Sequence, residues 1–317
     1  MYEPKPLFIE RMQKLLGGEE EFQRFMEFAR RKPVNSIRCN TLKISIEDLK
    51  KRLETKGWKI KQPFADYNGS MVIENELLPG ELGNNKEHLL GYYYVQELSS
   101  MLPILALQPR AGEFFLDLTA APGSKTGQAA AMMENQGTII ANEHTIDRIK
   151  ILAANLERMG VTNTIVTRHD AVQLCKRLYE RGFRFDKILV DAPCSGEGTL
   201  RSSPKTFLMW NIHGIEKLSR QQRIILLSAV NLLKEGGEIV YSTCTHAPEE
   251  NERIVHAALE KYPDLKVEKI QLPLKTRPGL EAWEKEKYDL SLKYACRVYP
   301  QDNDSEGFFV CKMRRKG

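Results

Sequence analysis

The chain has 317 residues, of which 42% are hydrophobic, and its 47 basic and 42 acidic residues give a formal net charge of +5. This composition is typical of a globular protein with one large domain or two ordinary ones. No apolar run reaches the roughly 18 residues that span a bilayer, and the first residues lack the pattern of a signal peptide, so we expect a cytoplasmic protein without a membrane partner. The mild basic excess permits a polyanionic partner without requiring one.

The first part of the chain, residues 1–90, predicts a small α+β domain. Two helices, an extended segment, a third helix and two short strands are expected in the order 7–16, 21–30, 35–40, 47–56, 58–61 and 71–73. Ser45 is expected to cap the third helix and Gly57 to end it. The turn-rich segment 78–85 then leads to a second domain, residues 91–317.

In the second domain, apolar strands alternate with amphipathic helices. The predicted strands are 114–118, 138–142, 164–168, 187–191 and 238–242. The predicted helices are 125–133, 146–159, 171–179 and 215–233. This alternation predicts an α/β fold with a doubly wound, mostly parallel sheet that helices cover on both faces. Two strand-like segments near the C-terminus, joined by a polar loop, suit an antiparallel hairpin at one edge.

The six cysteines do not suggest a disulfide framework or a metal site. No two have the C-x-x-C spacing, so we expect no zinc. Cys296 and Cys311 flank the loop of the predicted hairpin, and a symmetric hairpin would place them opposite each other, near disulfide distance. Because cytosolic disulfides are rare, a bond between them is the less favoured of the two possibilities.

Cys194 and Cys244 each follow an apolar strand directly, in Asp191-Ala-Pro-Cys-Ser-Gly and in Ser242-Thr-Cys-Thr. Loops that leave strands of α/β proteins tend to place a thiol near cations and helix N-termini, which favour the nucleophilic thiolate. The alternative is a pair of buried structural cysteines, since free cysteine commonly packs as a small core residue. Two thiols in equivalent loops favour the chemical interpretation.

A loop of small residues, 119–127, follows the first strand of the second domain, where ligands of such sheets bind. It contains neither the G-x-G-x-x-G dinucleotide pattern nor a Walker loop. Acidic residues follow successive strands at Asp117, Glu143, Asp170 and Asp191, and together they predict a nucleoside-binding crevice. Glu143 would accept hydrogen bonds from ribose hydroxyls. Asp170 would either accept from an adenine amine or cap the helix that follows it.

With these motifs, the chain resembles the S-adenosylmethionine-dependent RNA 5-methylcytosine methyltransferases of the Fmu/Sun type, from about Asn35 to the C-terminus. The segments that carry the resemblance are Arg38 to Thr41, Tyr94 to Ser100, Ala120 to Thr126, Asp191 to Gly198, Ser242 to Thr245 and Glu249 to Glu252. It implies a Rossmann-like class I methyltransferase fold, S-adenosylmethionine as cofactor and RNA as substrate, with transfer RNA favoured over ribosomal RNA. A monomer is expected.

The resemblance also implies roles for single residues. Cys244 would be the nucleophile, and Cys194 would assist release of the methylated product. The S-adenosylmethionine site would comprise Thr119, Ala120, Ala121, Pro122, Gly123, Ser124, Lys125, Glu143, Arg148, Asp170 and Asp191.

The chemistry of cytosine explains why such residues are needed. Carbon 5 is too weak a nucleophile to take a methyl group unaided, so a thiolate first adds to carbon 6 while a carboxylic acid near nitrogen 3 stabilises the developing charge. Asp191 can present that carboxyl group. We infer that Lys125 lies beside Asp191 and the base, where its charge favours the thiolate.

Two further segments have open interpretations. Arg38, with Asn40 and Lys43, is either part of an RNA-facing element or a surface strand residue. The aromatic run 92–94 could stack on bases, although core packing is favoured for most of it.

Two other functions remain as alternatives. A catalytically silent RNA-binding assembly factor would keep the fold but is expected to have lost Cys244, Asp191 or Lys125, all of which are present. A nicotinamide-dependent oxidoreductase is opposed by the missing glycine pattern.

Overall fold

Two helices open the chain and pack against its second half. The computed structural model describes residues 2–317, and these helices are α1 (Pro6–Leu16) and α2 (Glu19–Ala29). Their apolar faces, with Phe8 and Phe25 fully inside, meet Phe207, Trp210 and Tyr299 of the second half. The N-terminal region is therefore not one self-contained unit, because its first two helices share a core with later residues.

The next segments form a four-stranded antiparallel sheet in the order β2-β3-β1-β4. The elements are β1 (Ser36–Cys39), α3 (Ile46–Thr55), β2 (Ile60–Lys61), β3 (Ser70–Ile73), α4 (Glu81–Asn84), α5 (Lys86–Leu89) and β4 (Tyr93–Val95). Ser45 caps α3 by accepting a hydrogen bond from Asp48 N at 3.0 Å, as predicted. The sheet continues to Val95, past the predicted boundary at residue 90. Tyr93 and Tyr94 are buried, which confirms their packing role.

The second sheet has nine strands, in the order β11-β14-β15-β9-β8-β5-β6-β7, with β10 also paired to β15. Its strands are β5 (Phe114–Asp117), β6 (Thr138–Asn142), β7 (Thr164–Thr167), β8 (Phe185–Asp191), β9 (Leu233–Thr243), β10 (Leu265–Val267), β11 (Arg277–Pro278), β14 (Cys296–Val298) and β15 (Phe308–Arg315). A separate small hairpin consists of β12 (Ala282–Trp283) and β13 (Glu286–Lys287). Strands β5 to β9 pair in parallel and β15 is antiparallel, as predicted.

Helices cover both faces of this sheet. They are α6 (Leu102–Leu107), α7 (Ser124–Met132), α8 (Ile146–Met159), α9 (Ala171–Glu180), α10 (Thr206–Met209), α11 (Ile212–Val230), α12 (Glu252–Lys261) and α13 (Pro300–Asn303). Neighbouring strand residues alternate between the two cores, because successive side chains of a strand point to opposite faces. Ile188 packs with α9 and α11, whereas Leu189 packs with α6 and α7. Among residues 2–317, no helix is long and apolar enough to cross a membrane.

The register of the C-terminal hairpin differs from the symmetric arrangement. Cys296 pairs with Val310, so Cys311 points to the other face of the sheet, and its partner on β9 is Tyr241. Helix α13 lies in the connection and makes it asymmetric. The prediction that Cys296 and Cys311 lie opposite each other was wrong, and both are free thiols.

Arg38 is fully buried between the two sheets, so both sequence-based interpretations of it were wrong. Its Nε donates to Gln96 Oε1 at 2.8 Å, and its Nη2 donates to the carbonyl of Ser124 at 3.4 Å. Burial lowers the pKa of the guanidinium. Arg38 thus ties β1 to the start of α7.

Asn40 and Lys43 bind the C-terminal end of α8. Asn40 Nδ2 donates to the carbonyls of Met159 at 2.7 Å and Gly91 at 2.8 Å, and Lys43 Nζ donates to the carbonyl of Arg158 at 2.7 Å. The last carbonyls of a helix have no partner within it, which is why polar side chains of a neighbouring element pair with them. These residues hold the N-terminal sheet against the second domain.

Candidate active site

Two cavities, each of about 430 Å³, meet at the carboxyl ends of the parallel strands. The strand-tip cavity lies over β5, β6, β7 and β8 and is lined by residues that include Thr119, Glu143, Arg148, Asp170 and Cys194. The inter-sheet cavity lies between the two sheets and is lined by residues that include Ser36, Val95, Ser100, Lys125 and Phe308. Asp191 and Cys244 line both cavities.

The two thiols lie side by side where the cavities meet. Cys194 Sγ is 3.2 Å from Cys244 Sγ, and both residues are half-buried. The hydrogen bond with Cys244 and burial hold the pKa of Cys194 well above its ordinary value. Because both thiols face cavities, they are not the buried structural cysteines of the alternative interpretation.

Lys125 and Asp191 form an ion pair beside Cys244. Lys125 Nζ lies 2.8 Å from Asp191 Oδ2 and 3.1 Å from Ser100 Oγ, and Ser242 Oγ donates to Asp191 Oδ1 at 2.7 Å. Burial lowers the pKa of Lys125, but the charges of Asp191 and Cys244 more than offset this, so the pKa lies above its ordinary value. The ammonium therefore stays charged at neutral pH. The pairing of Lys125 with Asp191 is the one that the sequence predicted.

The loop after β5 contributes only part of its length to the strand-tip cavity. Thr119 and Ala121 line it, and Thr119 Oγ1 donates to the carbonyl of Asp191 at 2.7 Å. The remaining predicted residues of this loop are not among those that line it: Ala120, Pro122, Gly123, Ser124 and Lys125, of which Lys125 lines the inter-sheet cavity instead. Gly123 has φ 104° at the turn into α7, a conformation that favours glycine.

Asp117 does not line either cavity, which corrects part of the predicted carboxylate series. It is buried, accepts a hydrogen bond from Thr126 Oγ1 at 2.7 Å, and so holds the first turn of α7 against β5. Burial raises the pKa of Asp117 to about 6. The other three carboxylates of the series, Glu143, Asp170 and Asp191, do face the strand-tip cavity.

Glu143 and Asp170 both line the strand-tip cavity. Glu143 is 4% exposed and forms an ion pair with Arg148 at 3.1 Å, and Arg148 also donates to the carbonyl of Ala121 at 2.7 Å. Asp170 Oδ1 accepts from Val172 N and Gln173 N, both at 3.0 Å, which confirms the helix cap. Asp170 can both cap α9 and line the cavity, because the two capping hydrogen bonds use only its Oδ1.

Comparison with known proteins places the chain in a family. Residues 104–314 match the family model of the 16S rRNA methyltransferase RsmB/F, and residues 5–98 match the N-terminal domain of 16S rRNA methyltransferase RsmF. The chain belongs to the RsmB/F methyltransferase family.

Relatives in this family are named either as transfer RNA methyltransferases or as ribosomal RNA methyltransferases. The tRNA (cytosine(49)-C(5))-methyltransferase of Pyrococcus abyssi is 42% identical over 308 residues, which cover 97% of this chain and 95% of that protein. The ribosomal RNA small subunit methyltransferase F of Erwinia tasmaniensis is 41% identical over 315 residues, which cover 98% of this chain and 63% of that protein. The chain thus spans somewhat less than two thirds of the length of the latter relative.

Solved structures of similar chains confirm the fold. A methyltransferase homolog from Pyrococcus horikoshii is 33% identical, with a TM-score of 0.83 and coverage of 98% of this chain and 99% of that one. NSun6 from Pyrococcus horikoshii with SFG, an analogue of S-adenosylmethionine, is 26% identical, with a TM-score of 0.82 and coverage of 98% of both chains. The Rossmann-like methyltransferase fold with a smaller N-terminal part is therefore shared with these proteins.

Sequence reasoning missed three residues of this candidate site. Ser100 and Phe308 lie against Lys125, with the ammonium 5.5 Å from the centre of the Phe308 ring. Glu250 lies behind Cys194 and accepts a hydrogen bond from Ser195 N at 3.0 Å. Ser100 and Glu250 fall in segments that carried the family resemblance, which was the available signal. Phe308 gave no local signal because its place depends on the strand order of the sheet.

Proposed function

We propose that the protein transfers a methyl group from S-adenosylmethionine to carbon 5 of a cytosine in RNA, through a transient bond between Cys244 and carbon 6 of the base. The observation that carries this proposal is the position of Cys244 and Asp191, which line both cavities. A cofactor in the strand-tip cavity and a base in the inter-sheet cavity would meet at these two residues.

The strand-tip cavity suits the nucleoside part of the cofactor. Its volume lies within the usual range of small-molecule sites. Glu143 and Asp170 offer carboxylate oxygens for ribose hydroxyls and an adenine amine, and Ala121 leaves room close to the backbone. S-adenosylmethionine bound there supplies an electrophilic methyl group. The family and the bound SFG of a structural neighbour support the same cofactor.

Different surroundings assign different roles to the two thiols. Lys125 lies with Cys244 at the inter-sheet cavity, where its ammonium would stabilise negative charge that develops on the attacking sulfur. Cys194 instead has a raised pKa and can donate its proton toward the sulfur of Cys244. Cys244 is therefore the nucleophile of this proposal, and Cys194 is its hydrogen-bonding partner.

The reaction then follows in balanced steps. The Cys244 thiolate forms a bond to carbon 6, and the displaced electron pair moves toward nitrogen 3, where the proton of the Lys125–Asp191 pair stabilises it. The resulting enamine would make carbon 5 nucleophilic enough to take the methyl group of bound S-adenosylmethionine, which would lose its bond to that methyl group and leave as S-adenosylhomocysteine. A water molecule held against the Cys194 thiol takes the proton from carbon 5 and passes it to solvent. The bond between sulfur and carbon 6 breaks, which restores the ring double bond and frees Cys244.

Transfer RNA is the substrate that we propose. The Pyrococcus abyssi relative, named as a tRNA (cytosine(49)-C(5))-methyltransferase, matches this chain over nearly its whole length. The target base must leave its stack, because carbon 5 and carbon 6 cannot both be reached inside a helix. The N-terminal domain, predicted as residues 1–90, would hold the RNA next to the base, since Asn35 and Ser36 line the inter-sheet cavity. One chain acting alone suffices for this arrangement.

Labelled S-adenosylmethionine provides the test. The protein is incubated with separate pools of transfer RNA and ribosomal RNA, and the labelled nucleosides are identified. We expect 5-methylcytidine from transfer RNA. Label found only in ribosomal RNA would show that ribosomal RNA is the substrate instead. Cofactor binding without transfer to either pool would favour the silent assembly factor, and the Cys244→Ser protein serves as the blank.

A further inference from the structure

Glu250 joins the two loops that carry the thiols. It lies between β9 and α12 and is fully buried. Its Oε2 accepts hydrogen bonds from Ser195 N at 3.0 Å and from Gln222 Nε2 at 2.7 Å. The same amide nitrogen of Gln222 donates to the carbonyl of Pro193 at 2.8 Å. Glu250 and Gln222 therefore hold the chain on both sides of Cys194.

We propose that Glu250 is a positioning residue for Cys194: it fixes the Cys194 loop and keeps the proton on that thiol, so that Cys244 alone is the thiolate when the base is attacked. This inference rests on the proposed function for its place in the reaction. The proposed effect of Glu250 on the protonation of Cys194 exists in the protein without RNA or cofactor, and it can be measured in that state.

The charged groups around the thiol pair are distributed asymmetrically. Lys125 and Asp191 lie on the side of Cys244, whereas the titratable groups packed around Glu250 are Cys194, Glu197 and Tyr241. The Tyr241 hydroxyl donates to the backbone carbonyl of Glu250, which holds this segment against β9.

Glu250 itself is poised to change its charge near neutral pH. Burial raises the pKa of Glu250 to about 7, against the lowering effect of its hydrogen bonds to Ser195 and Gln222. Its second oxygen, Oε1, is buried without a hydrogen-bond partner among the described residues. An ionised carboxylate here opposes a second negative charge on Cys194, and it contributes to the raised pKa of that thiol after the effects of Cys244 and burial.

This asymmetry solves a problem that two adjacent thiols create. At 3.2 Å, Cys194 and Cys244 can share one proton, and in equal surroundings either could lose it. A thiolate on Cys194 would compete for the base and would remove the hydrogen bond that stabilises the Cys244 thiolate. Glu250 places a carboxylate behind Cys194, whereas beside Cys244 the ammonium of Lys125 offsets the charge of Asp191, so the negative charge is favoured on Cys244.

Thiol alkylation tests the proposal without RNA or cofactor. The folded protein is treated with iodoacetamide over a range of pH, and mass spectrometry measures the rate at each thiol. In the wild type we expect Cys244 to react first. In Glu250→Gln, which keeps the size of the side chain and loses its charge, Cys194 should react several-fold faster near neutral pH, with its pH midpoint moved downward.

Glu249→Gln is the matched control, because it removes a neighbouring buried carboxylate that binds Arg11 and Trp283 instead of the Cys194 loop. It should leave the ratio of the two alkylation rates unchanged. An unchanged Cys194 profile in folded Glu250→Gln protein would overturn the proposal, as would an equal shift in the control.

A second variant covers the outcome in which Glu250→Gln does not fold. Gln222→Leu removes a hydrogen bond that favours the ionised carboxylate, so Cys194 should again become more reactive, and no change would contradict the proposal. Methyl transfer is assayed separately. Absence of transfer to any RNA, together with the expected alkylation shift, would reject the proposed function and leave the role of Glu250 toward Cys194 standing.

Discussion

The Sγ atoms of Cys194 and Cys244 lie 3.2 Å apart, although the two residues are 50 positions apart in the chain. Strands β8 and β9 are parallel neighbours, and Asp191 pairs with Ser242 in their register. The loops that leave these two strands therefore start side by side. The separation of the thiols is set by the backbone of the sheet, so it does not depend on a mobile loop finding its partner.

Replacing Cys244 by Ala should abolish methyl transfer while leaving cofactor affinity intact, because the loss removes the nucleophile and keeps Glu143 and Asp170. Labelled methyl transfer and isothermal titration measure the two properties. Retained turnover would reverse the assignment of the thiols.

Replacing Cys194 by Ala should trap the protein on its RNA, because the bond to carbon 6 still forms but its release is impaired. A complex that survives denaturing electrophoresis under turnover conditions is the expected result. The double variant that also lacks Cys244 should give no such band, and a band in that variant would place the bond on another residue.

Replacing Glu143 by Ala should weaken S-adenosylmethionine binding by about 1 to 3 kcal/mol, the usual effect of losing a charged hydrogen-bond acceptor. Calorimetric titration measures this directly. Asp147→Ala is the control, since Asp147 lies in the first turn of α8 with its side chain 80% exposed and pairs only with Lys150 among its described neighbours. Equal effects of the two changes would mean that the ribose is held elsewhere.

Replacing Asn40 by Ala should lower the free energy of unfolding by about 2 to 4 kcal/mol, because the buried carbonyls of Gly91 and Met159 both lose their donor. Denaturant unfolding followed by circular dichroism measures the change. The exposed Asn68 lies in the same part of the chain, and Asn68→Ala should have almost no effect. A similar loss of unfolding free energy in both variants would contradict the role of Asn40 in holding the end of α8.

Asp117 should make the protein less stable as the pH rises. Its pKa is about 6 in the folded state and 3.8 ordinarily, so between these values the folded protein retains a proton that the unfolded chain loses. Compared with the wild type, Asp117→Asn should gain up to about 3 kcal/mol of relative stability between pH 4 and pH 7. Unfolding curves at several pH values test this, and a constant difference would show that Asp117 is ionised throughout.

Elements with strong local patterns could be predicted from the sequence. Strand β6 and helix α8 have the predicted bounds, because one is a short apolar run and the other has a clear amphipathic period. Helix α6 was missed because its residues are apolar on nearly every side, and a helix buried all round has no amphipathic signal. The register of the C-terminal hairpin was missed because helix α13 makes its connection asymmetric.

The sequence predicted the parts of the candidate site that depend on strand ends. It did not predict the parts that depend on packing between distant segments. Asp191 and Lys125 follow from the motifs at the tips of β8 and β5. Arg38 was misplaced because a charged residue on a short strand ordinarily faces solvent, and only the packing of the N-terminal sheet on α7 buries it. Glu250 had no predicted role because its contact with the Cys194 loop joins two segments that no local pattern connects.

Because the two cavities share only Asp191 and Cys244, the proposed cofactor and RNA would otherwise contact separate sets of side chains.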